Sequence, residues 1–346
     1  MYTDGGTEKA VSLIANNLIN DYEIEVVSLC KNKGETFYKL DENIKLTTIL
    51  DEKVTRFRLY SPILYYKIRK KFRNHKTDYF VSSNMNYIPL TLFMRKKAKF
   101  IVWEHYSSAI ITRKSYGYWV RKLAAQLADK IVVLTDSDKE ANINKFKTSS
   151  SKIESIYNPI EMVETEQQYD ANSKKIISVG RLVNIKGFDM LIDVAKKVFD
   201  KHPDWEWHIY GEGELREELE RKIEQNKLQT NLKLMGRTQR LLELYKEYSM
   251  FVLTSRYEGL GMVNIEAHCA HLPIVSFDCP FGPSEIIQDN INGYLIDCFD
   301  IEKMADKINF LIENSQKREE MSKNTMLDKE KFAMTSVIKK WKELLN

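Results

Sequence analysis

The 346-residue chain carries 53 Lys and Arg against 49 Asp and Glu, a net charge of +4, and 43% of its residues are hydrophobic. That length supports two domains with separate cores, the composition excludes a disordered chain, and so even a charge balance gives no general case for nucleic acid. Cys30, Cys269, Cys279 and Cys298 lie far apart with no C-x-x-C pair and no His at zinc-ligand spacing, which excludes a zinc-knuckle module and leaves reduced thiols as the default. No leader is visible at Met1 and no apolar run approaches the roughly 18 residues of a membrane span, so a cytoplasmic chain is expected.

Taken in chain order, apolar strand-like runs at 23–29, 78–83, 99–104 and 130–135 alternate with helical patterns at 8–20, 62–74 and 115–128. After Asn158-Pro159 a second alternation begins, with strands at 175–179, 206–210, 231–235, 250–254 and 273–277 and helices at 187–201, 214–227, 239–248 and 261–270. Residues 162–173 are polar and acidic and read as a loop beside the hinge. The stretch 301–346 reads as helical throughout, with amphipathic spacing over 336–345. Alternation of this kind predicts a parallel α/β fold in two Rossmann-like domains, 1–158 joined by a C-terminal helix at 331–346, and 159–330.

The most informative stretch is Ser255-Arg256-Tyr257-Glu258-Gly259-Leu260-Gly261-Met262-Val263-Asn264-Ile265-Glu266. It follows the buried run 250–254 and opens a helix near Gly261, so the first amides, at Gly261, Met262 and Val263, lack intrahelical acceptors and suit a phosphate. Gly259 and Gly261, with Leu260 between them, give a turn that lets a ligand approach closely. Glu258 in the turn and Glu266 one turn into the helix accept only, which suits hydroxyl donors on a sugar and a ribose. A bare pair of glutamates at this spacing reads as solvated charge, and it is the surrounding turn that favours binding.

The E-x7-E spacing from Glu258 to Glu266 resembles that of retaining GT-B glycosyltransferases of family GT4, of the kind found in bacterial surface-polysaccharide synthesis. Three further stretches carry the resemblance in family order: Gly5-Gly6-Thr7-Glu8, Gly180-Arg181-Leu182-Val183-Asn184-Ile185-Lys186-Gly187-Phe188-Asp189, and Gly211-Glu212-Gly213-Glu214. The resemblance implies two Rossmann-like domains and a sugar nucleotide as donor. Arg181 and Lys186 would neutralise the departing diphosphate, Glu258 would position the donor sugar, and Glu266 would hold the ribose. It also implies that Gly5 and Gly6 meet the diphosphate and acceptor, that His105 meets the donor sugar, that Arg237 after Gly236 lies near the base, and that Gly211 belongs to the substrate site. Alone, Gly5-Gly6 reads as a turn, His105 as a structural histidine and Gly211-x-Gly213 as too weak for a dinucleotide fingerprint, since Arg216 stands where a third Gly or Ala is needed. Gly282-Pro283-Ser284-Glu285 reads as a structural loop that resembles the version in members using UDP-sugars. The family pattern places a strand before its glycine loop where this sequence has only Met1-Tyr2-Thr3-Asp4, so the first strand is expected to be missing and the true start to lie upstream of Met1.

No Asp-x-Asp pair precedes a matching strand, and the expectation is that no metal and no cofactor is required beyond the nucleotide sugar. From Lys53 to Lys76 every charged residue is basic, interleaved with Tyr60, Ile63, Leu64, Tyr65, Tyr66, Ile68 and Phe72. A basic amphipathic helix of this kind suits an anionic inner-leaflet surface and a lipid-linked saccharide acceptor; a core helix with a solvated basic face is the competing reading, and no nucleic-acid motif accompanies it. The expectation is a retaining, metal-independent hexosyltransferase acting peripherally on the inner face of the plasma membrane. A GT-B-fold sugar-nucleotide epimerase and an inactive nucleotide-binding partner subunit are the alternatives.

Overall fold

The computed structural model describes residues 5–30, 36–51, 57–160 and 169–346. The chain divides into two compact units, 1–159 with 334–346, and 160–333.

In the first unit, α1 (Gly6–Leu18) precedes the parallel pair β1 (Glu25–Cys30) and β2 (Lys45–Leu50). After α2 (Phe57–Lys71), strands β3 (Tyr79–Ser82), β4 (Lys99–Trp103), β5 (Lys130–Val133) and β6 (Ile153–Ser155) form a four-stranded parallel sheet in sequential order. Helices α3 (Ile88–Thr91), α4 (Tyr116–Leu127) and α5 (Asp136–Phe146) connect them. Among the described residues, the β1 and β2 pair is a sheet separate from β3 to β6. Strands β2 and β6 were absent from the sequence reading, because one is only partly buried and the other is three residues long, too short for any period to register.

Alternation along β4 sends Phe100 and Val102 to one face of the sheet and Ile101 and Trp103 to the other. Leu64 and Ile68 of α2 and Phe72 just after it, spaced four apart, pack with Val120 and Ala124 of α4 in the cluster that contains Phe100, Val102, Ile131 and Val133. Leu64, Ile68 and Phe72 are therefore core residues, and a membrane contact by the basic segment falls to its other side chains. Lys53 and Arg56 of that segment lie outside the described residues. The opposite face of the sheet meets α12 (Met334–Leu345), whose Trp341 ring stands edge-on to Trp103 at 4.8 Å. Buried Val337, Ile338, Trp341, Leu344 and Leu345 form the amphipathic stripe read at 336–345.

The second unit is a six-stranded parallel sheet. Its strands are β7 (Lys175–Val179), β8 (Glu206–Tyr210), β9 (Leu232–Gly236), β10 (Met250–Leu253), β11 (Ile274–Phe277) and β12 (Gly293–Ile296), in the spatial order β12-β11-β10-β7-β8-β9. Helices α6 (Phe188–Lys201), α7 (Arg216–Gln225), α8 (Leu241–Leu244), α9 (Met262–Cys269), α10 (Ile301–Glu313) and α11 (Ser315–Asn324) complete it. The strand β12 was missed in the sequence, where it is a four-residue run after the polar Asn290-Ile291-Asn292. The C-terminal stretch is broken rather than helical throughout, with two 3-10 turns between α11 and α12. The loop expected at 162–173 lies mostly outside the described residues.

This strand order places the reversal of winding between β7 and β10, which are hydrogen-bonded neighbours. In open parallel sheets the crevice for a ligand forms beyond the carboxyl ends of the two strands at that reversal, because their following connections leave to opposite faces. The loops after β7 and β10 carry Arg181 and Lys186, and Glu258, respectively.

Candidate active site

The turn after β7 is held in place by steric demands that only glycine meets. Gly187 has φ +67°, and a Cβ there would fall 2.0 Å from the carbonyl oxygen of Thr254 at the end of β10. The close approach docks one loop on the other, and side chains complete the join. The Thr254 hydroxyl donates to the Lys186 carbonyl at 3.3 Å, and the Arg256 amide donates to the Ile185 carbonyl at 2.8 Å. The Arg256 guanidinium grips both carboxylate oxygens of Asp189, at 2.8 and 2.7 Å, and donates to the Asn184 carbonyl at 2.7 Å. That fork holds the Asp189 carboxyl below the usual carboxylate range.

Across this join the Lys186 ammonium donates to Glu258 Oε1 at 2.6 Å, and their side chains are only 16% and 7% exposed. The buried Ser255 hydroxyl donates to the same oxygen at 2.6 Å. Two donors fix the carboxylate through Oε1 and leave Oε2 without a partner among the described residues, an acceptor pre-aimed by its neighbours. From the far side, the loop after β11 closes on Glu258: a Cβ on Gly282 would meet Glu258 Cβ at 2.8 Å. Gly261, with φ +78°, caps α9, so the amides of Gly261, Met262 and Val263 open toward the same turn, with Gly259 and buried Leu260 just before them. A side chain at Gly261 would strike the Asn264 amide at 2.7 Å.

Arg181 lies on the β7 turn, exposed, with no side-chain partner among the described residues. Glu266 sits in α9, 4% exposed, and accepts from the Tyr245 hydroxyl at 3.4 Å. Burial, and then the Glu266 charge, pushes the Tyr245 phenol well above its usual value, so it stays a donor. In this state the Glu266 carboxylate is engaged inside the unit. Gly211 has a steric reason of its own: at φ +146° its Cβ would fall 1.8 Å from the Gly180 carbonyl, so this glycine lets the β8 loop pass against the β7 loop. Arg237 is exposed after Gly236 at the end of β9, the edge strand, two positions from β7 and apart from the Lys186 and Glu258 pair.

The remaining sequence candidates belong to the first unit. Gly5 caps α1 and Gly6 opens it, with ordinary extended torsions at Gly5, so backbone conformation does not require glycine there. His105 follows β4, is 9% exposed, has its ring 4.4 Å from that of Trp103 at a tilt of 45°, and has no hydrogen-bond partner on either ring nitrogen among the described residues. Burial lowers its pKa to about 3, so it is neutral and offers one donor and one acceptor. Next to it, buried Glu104 pairs with buried Arg121 at 2.9 Å.

Sequence reasoning passed over Ser255, Arg256 and Asp189. The signal for Ser255 was its place directly after a buried strand; Arg256 and Asp189 stand 67 residues apart, and nothing local pairs them.

An ammonium, a fixed carboxylate and helix-start amides at the reversal of a doubly wound sheet suit a ligand that carries phosphate. The family model described as "Glycosyl transferases group 1" matches residues 162–327. An uncharacterized glycosyltransferase of Haemophilus influenzae is 31% identical over 345 residues, covering 99% of this chain and 96% of that protein. The chain belongs to this glycosyltransferase family. It is also 26% identical over 353 residues to the Campylobacter jejuni enzyme named GalNAc-alpha-(1->4)-GalNAc-alpha-(1->3)-diNAcBac-PP-undecaprenol alpha-1,4-N-acetyl-D-galactosaminyltransferase, covering 99% of this chain and 95% of that one. Among solved structures, a variant of S. aureus TarM in complex with alpha-GlcNAc-glycerol and UDP is similar, with a TM-score of 0.75 and 27% identity; the match covers 82% of this chain and 59% of that chain. The structural neighbours are GT-B glycosyltransferases.

Proposed function

We propose that this glycosyltransferase is of the GT4, retaining type and moves a hexose or N-acetylhexosamine from a UDP-sugar to a lipid-linked saccharide in surface-glycan assembly, without a divalent metal. The observation that carries the reading is the Lys186, Glu258 and Ser255 junction at the strand reversal, beside the open amino end of α9. The UDP named in the TarM complex and the undecaprenol-linked acceptor in the name of the C. jejuni relative support the donor and acceptor classes.

In this reading the diphosphate lies between the first amides of α9 and the side chains of Arg181 and Lys186, which carry the charge that a metal ion otherwise neutralises. Glu258 Oε2 accepts a hydroxyl of the donor sugar, Glu266 accepts from the ribose once Tyr245 yields, and Arg237 flanks the base. His105 hydrogen-bonds a sugar hydroxyl, and Gly5 and Gly6 serve the diphosphate and acceptor. The acceptor oxygen bonds to the anomeric carbon as the bond from that carbon to the β-phosphate oxygen breaks. The β-phosphate, on the same face, takes the acceptor proton, and the product is α-linked. The protein works at the cytoplasmic surface of the plasma membrane; no described helix is long and apolar enough to cross it.

The test is transfer from UDP-sugars to a lipid-linked acceptor by purified protein in the presence of a chelator, with the anomeric configuration read by NMR. Lys186→Ala should abolish transfer while the fold persists. An epimerised sugar formed from UDP-sugar without acceptor would instead identify an epimerase, and UDP binding without turnover on membranes a partner subunit.

A further inference from the structure

With Leu64, Ile68 and Phe72 committed to the core, the apolar part of any membrane contact must come from side chains the fold leaves outside. Among the described side chains of α2 these include Ile63, 49% exposed, Tyr65, 36% exposed, and Tyr66, 65% exposed, with Lys67 and Lys70 exposed beside them and Arg73 just past the helix. A second source lies on α4, where Trp119 is 61% exposed with the Lys122 ammonium 5.7 Å from its ring. Exposed aromatic rings set beside basic side chains suit a partner with both apolar and anionic parts.

The two helices share a layer. Leu64 and Ile68 of α2 and Val120 and Ala124 of α4 belong to one cluster with Phe100, Val102, Ile131 and Val133, so both cover the same face of the sheet and turn their outer sides the same way. The sequence that carries these helices is also strongly basic. Residues 53–128 hold 17 Lys and Arg against two acidic residues, Asp78 and Glu104, and Glu104 is buried against Arg121. The modest net charge of +4 therefore conceals one segment of net +15 offset by −11 over the rest of the sequence.

We propose that the outer face of this layer docks on an anionic bilayer, with Trp119 as its interfacial anchor beside Ile63 and Tyr66, and Lys67, Lys70 and Lys122 on the phosphates. The proposal rests on the lipid-linked acceptor reading above and names the surface that would bring the protein to it. Indole and phenol rings settle at the headgroup level, where an apolar body and a polar edge are both satisfied, while lysine stems lie along apolar surface and keep their ammonium groups in the phosphates. A soluble polyanion would satisfy the charges and leave Trp119, Tyr66 and Ile63 in water, which is why a bilayer is the better fit.

Tryptophan fluorescence reads this site selectively, since Trp103, Trp205, Trp207 and Trp341 are no more than 4% exposed. Vesicles of phosphatidylglycerol and phosphatidylcholine at 3:7 should shift the emission to the blue and protect it from acrylamide, and pure phosphatidylcholine should not. Trp119→Ala should abolish the shift and lower vesicle co-sedimentation about tenfold. Lys67→Gln and Lys122→Gln should each lower it about fivefold, with a loss of salt dependence. An unshifted spectrum, undiminished co-sedimentation of Trp119→Ala, equal binding to pure phosphatidylcholine, or equal protection by soluble inorganic polyphosphate would each overturn the proposal. UDP binding measured by calorimetry on the same samples is a separate readout. Trp119→Ala should leave it unchanged, and its absence from the wild-type protein would count against the nucleotide site, not the surface.

Discussion

Replacing Glu258 by Gln should strengthen UDP binding while destroying transfer, an opposition that few other roles for this residue would produce. The Lys186 ammonium donates to Glu258 Oε1 at 2.6 Å, so a phosphate oxygen taken by the same ammonium would come within about 5 Å of the carboxylate. At that separation two negative charges repel by about 3 kcal/mol at an effective dielectric of 20, and partial exposure of the pair reduces this to about 1–2 kcal/mol. Glu258→Gln removes the repulsion and keeps the shape, so UDP should bind about five- to thirtyfold more tightly by calorimetry. Transfer should fall by about a hundredfold or more, because the sugar loses the acceptor that orients it. Without ligand the variant should melt lower, since an ammonium only 16% exposed has lost its counter-charge, at a cost of about 1–3 kcal/mol, and UDP should restore much of that. By contrast, Lys186→Ala should weaken UDP binding about tenfold or more through loss of a charge-assisted hydrogen bond. If Glu258→Gln weakens UDP as Lys186→Ala does, or leaves turnover intact, Lys186 does not hold the diphosphate beside Glu258 and the site is wrongly assigned.

Three further outcomes follow from particular contacts. Gly211→Ala should destabilise the fold by about 3 kcal/mol or more in urea, because a left-handed torsion and a Cβ 1.8 Å from the Gly180 carbonyl force the β7 turn to move. Asp189→Asn should cost little stability, about 1 kcal/mol for a half-exposed pair, yet lower kcat well beyond that, because Arg256 loses the fork that ties the Lys186 turn to the Glu258 loop; Arg256→Lys should fail to replace the fork. Asp328, between β12 and α12, tests the acid limb of stability. Burial would raise its carboxyl, but hydrogen bonds from His268 and Lys331 prevail and bring it to about 2. Since the folded value lies below the ordinary 3.8, its contribution is present above about pH 4 and is lost as pH falls toward 2. Melting temperature against pH should therefore fall less steeply between 4 and 2 in Asp328→Asn, and an unchanged slope would show that Asp328 makes no such contribution.

Short, buried runs of apolar and aromatic residues made β7, β8, β10 and β11 legible in the sequence, and Gly259 and Gly261 marked the start of α9. The readings that failed share a cause. Strands β2, β6 and β12 are too short or too mixed for a period to emerge, and the apolar stripe of α2 has the same spacing whether it meets a sheet or a lipid. Gly211 and Gly213 also have a steric reason for lacking a Cβ, the nearby carbonyls of Gly180 and Leu182, which no local pattern reveals.

Local patterning by itself determined the parallel α/β character of this protein, most of its strands and the start of α9 after a glycine-rich turn, because hydrophobic period and turn chemistry are properties of a few consecutive residues. The tertiary structure alone decided that Lys186 meets Glu258 across 72 residues, that Arg256 locks their loops together through Asp189, and that Trp119, not the stripe of α2, stays in solvent. Those pairings depend on which strands become neighbours at the reversal of the sheet and which helix faces the sheet covers, and neither is encoded at any distance the chain can read locally.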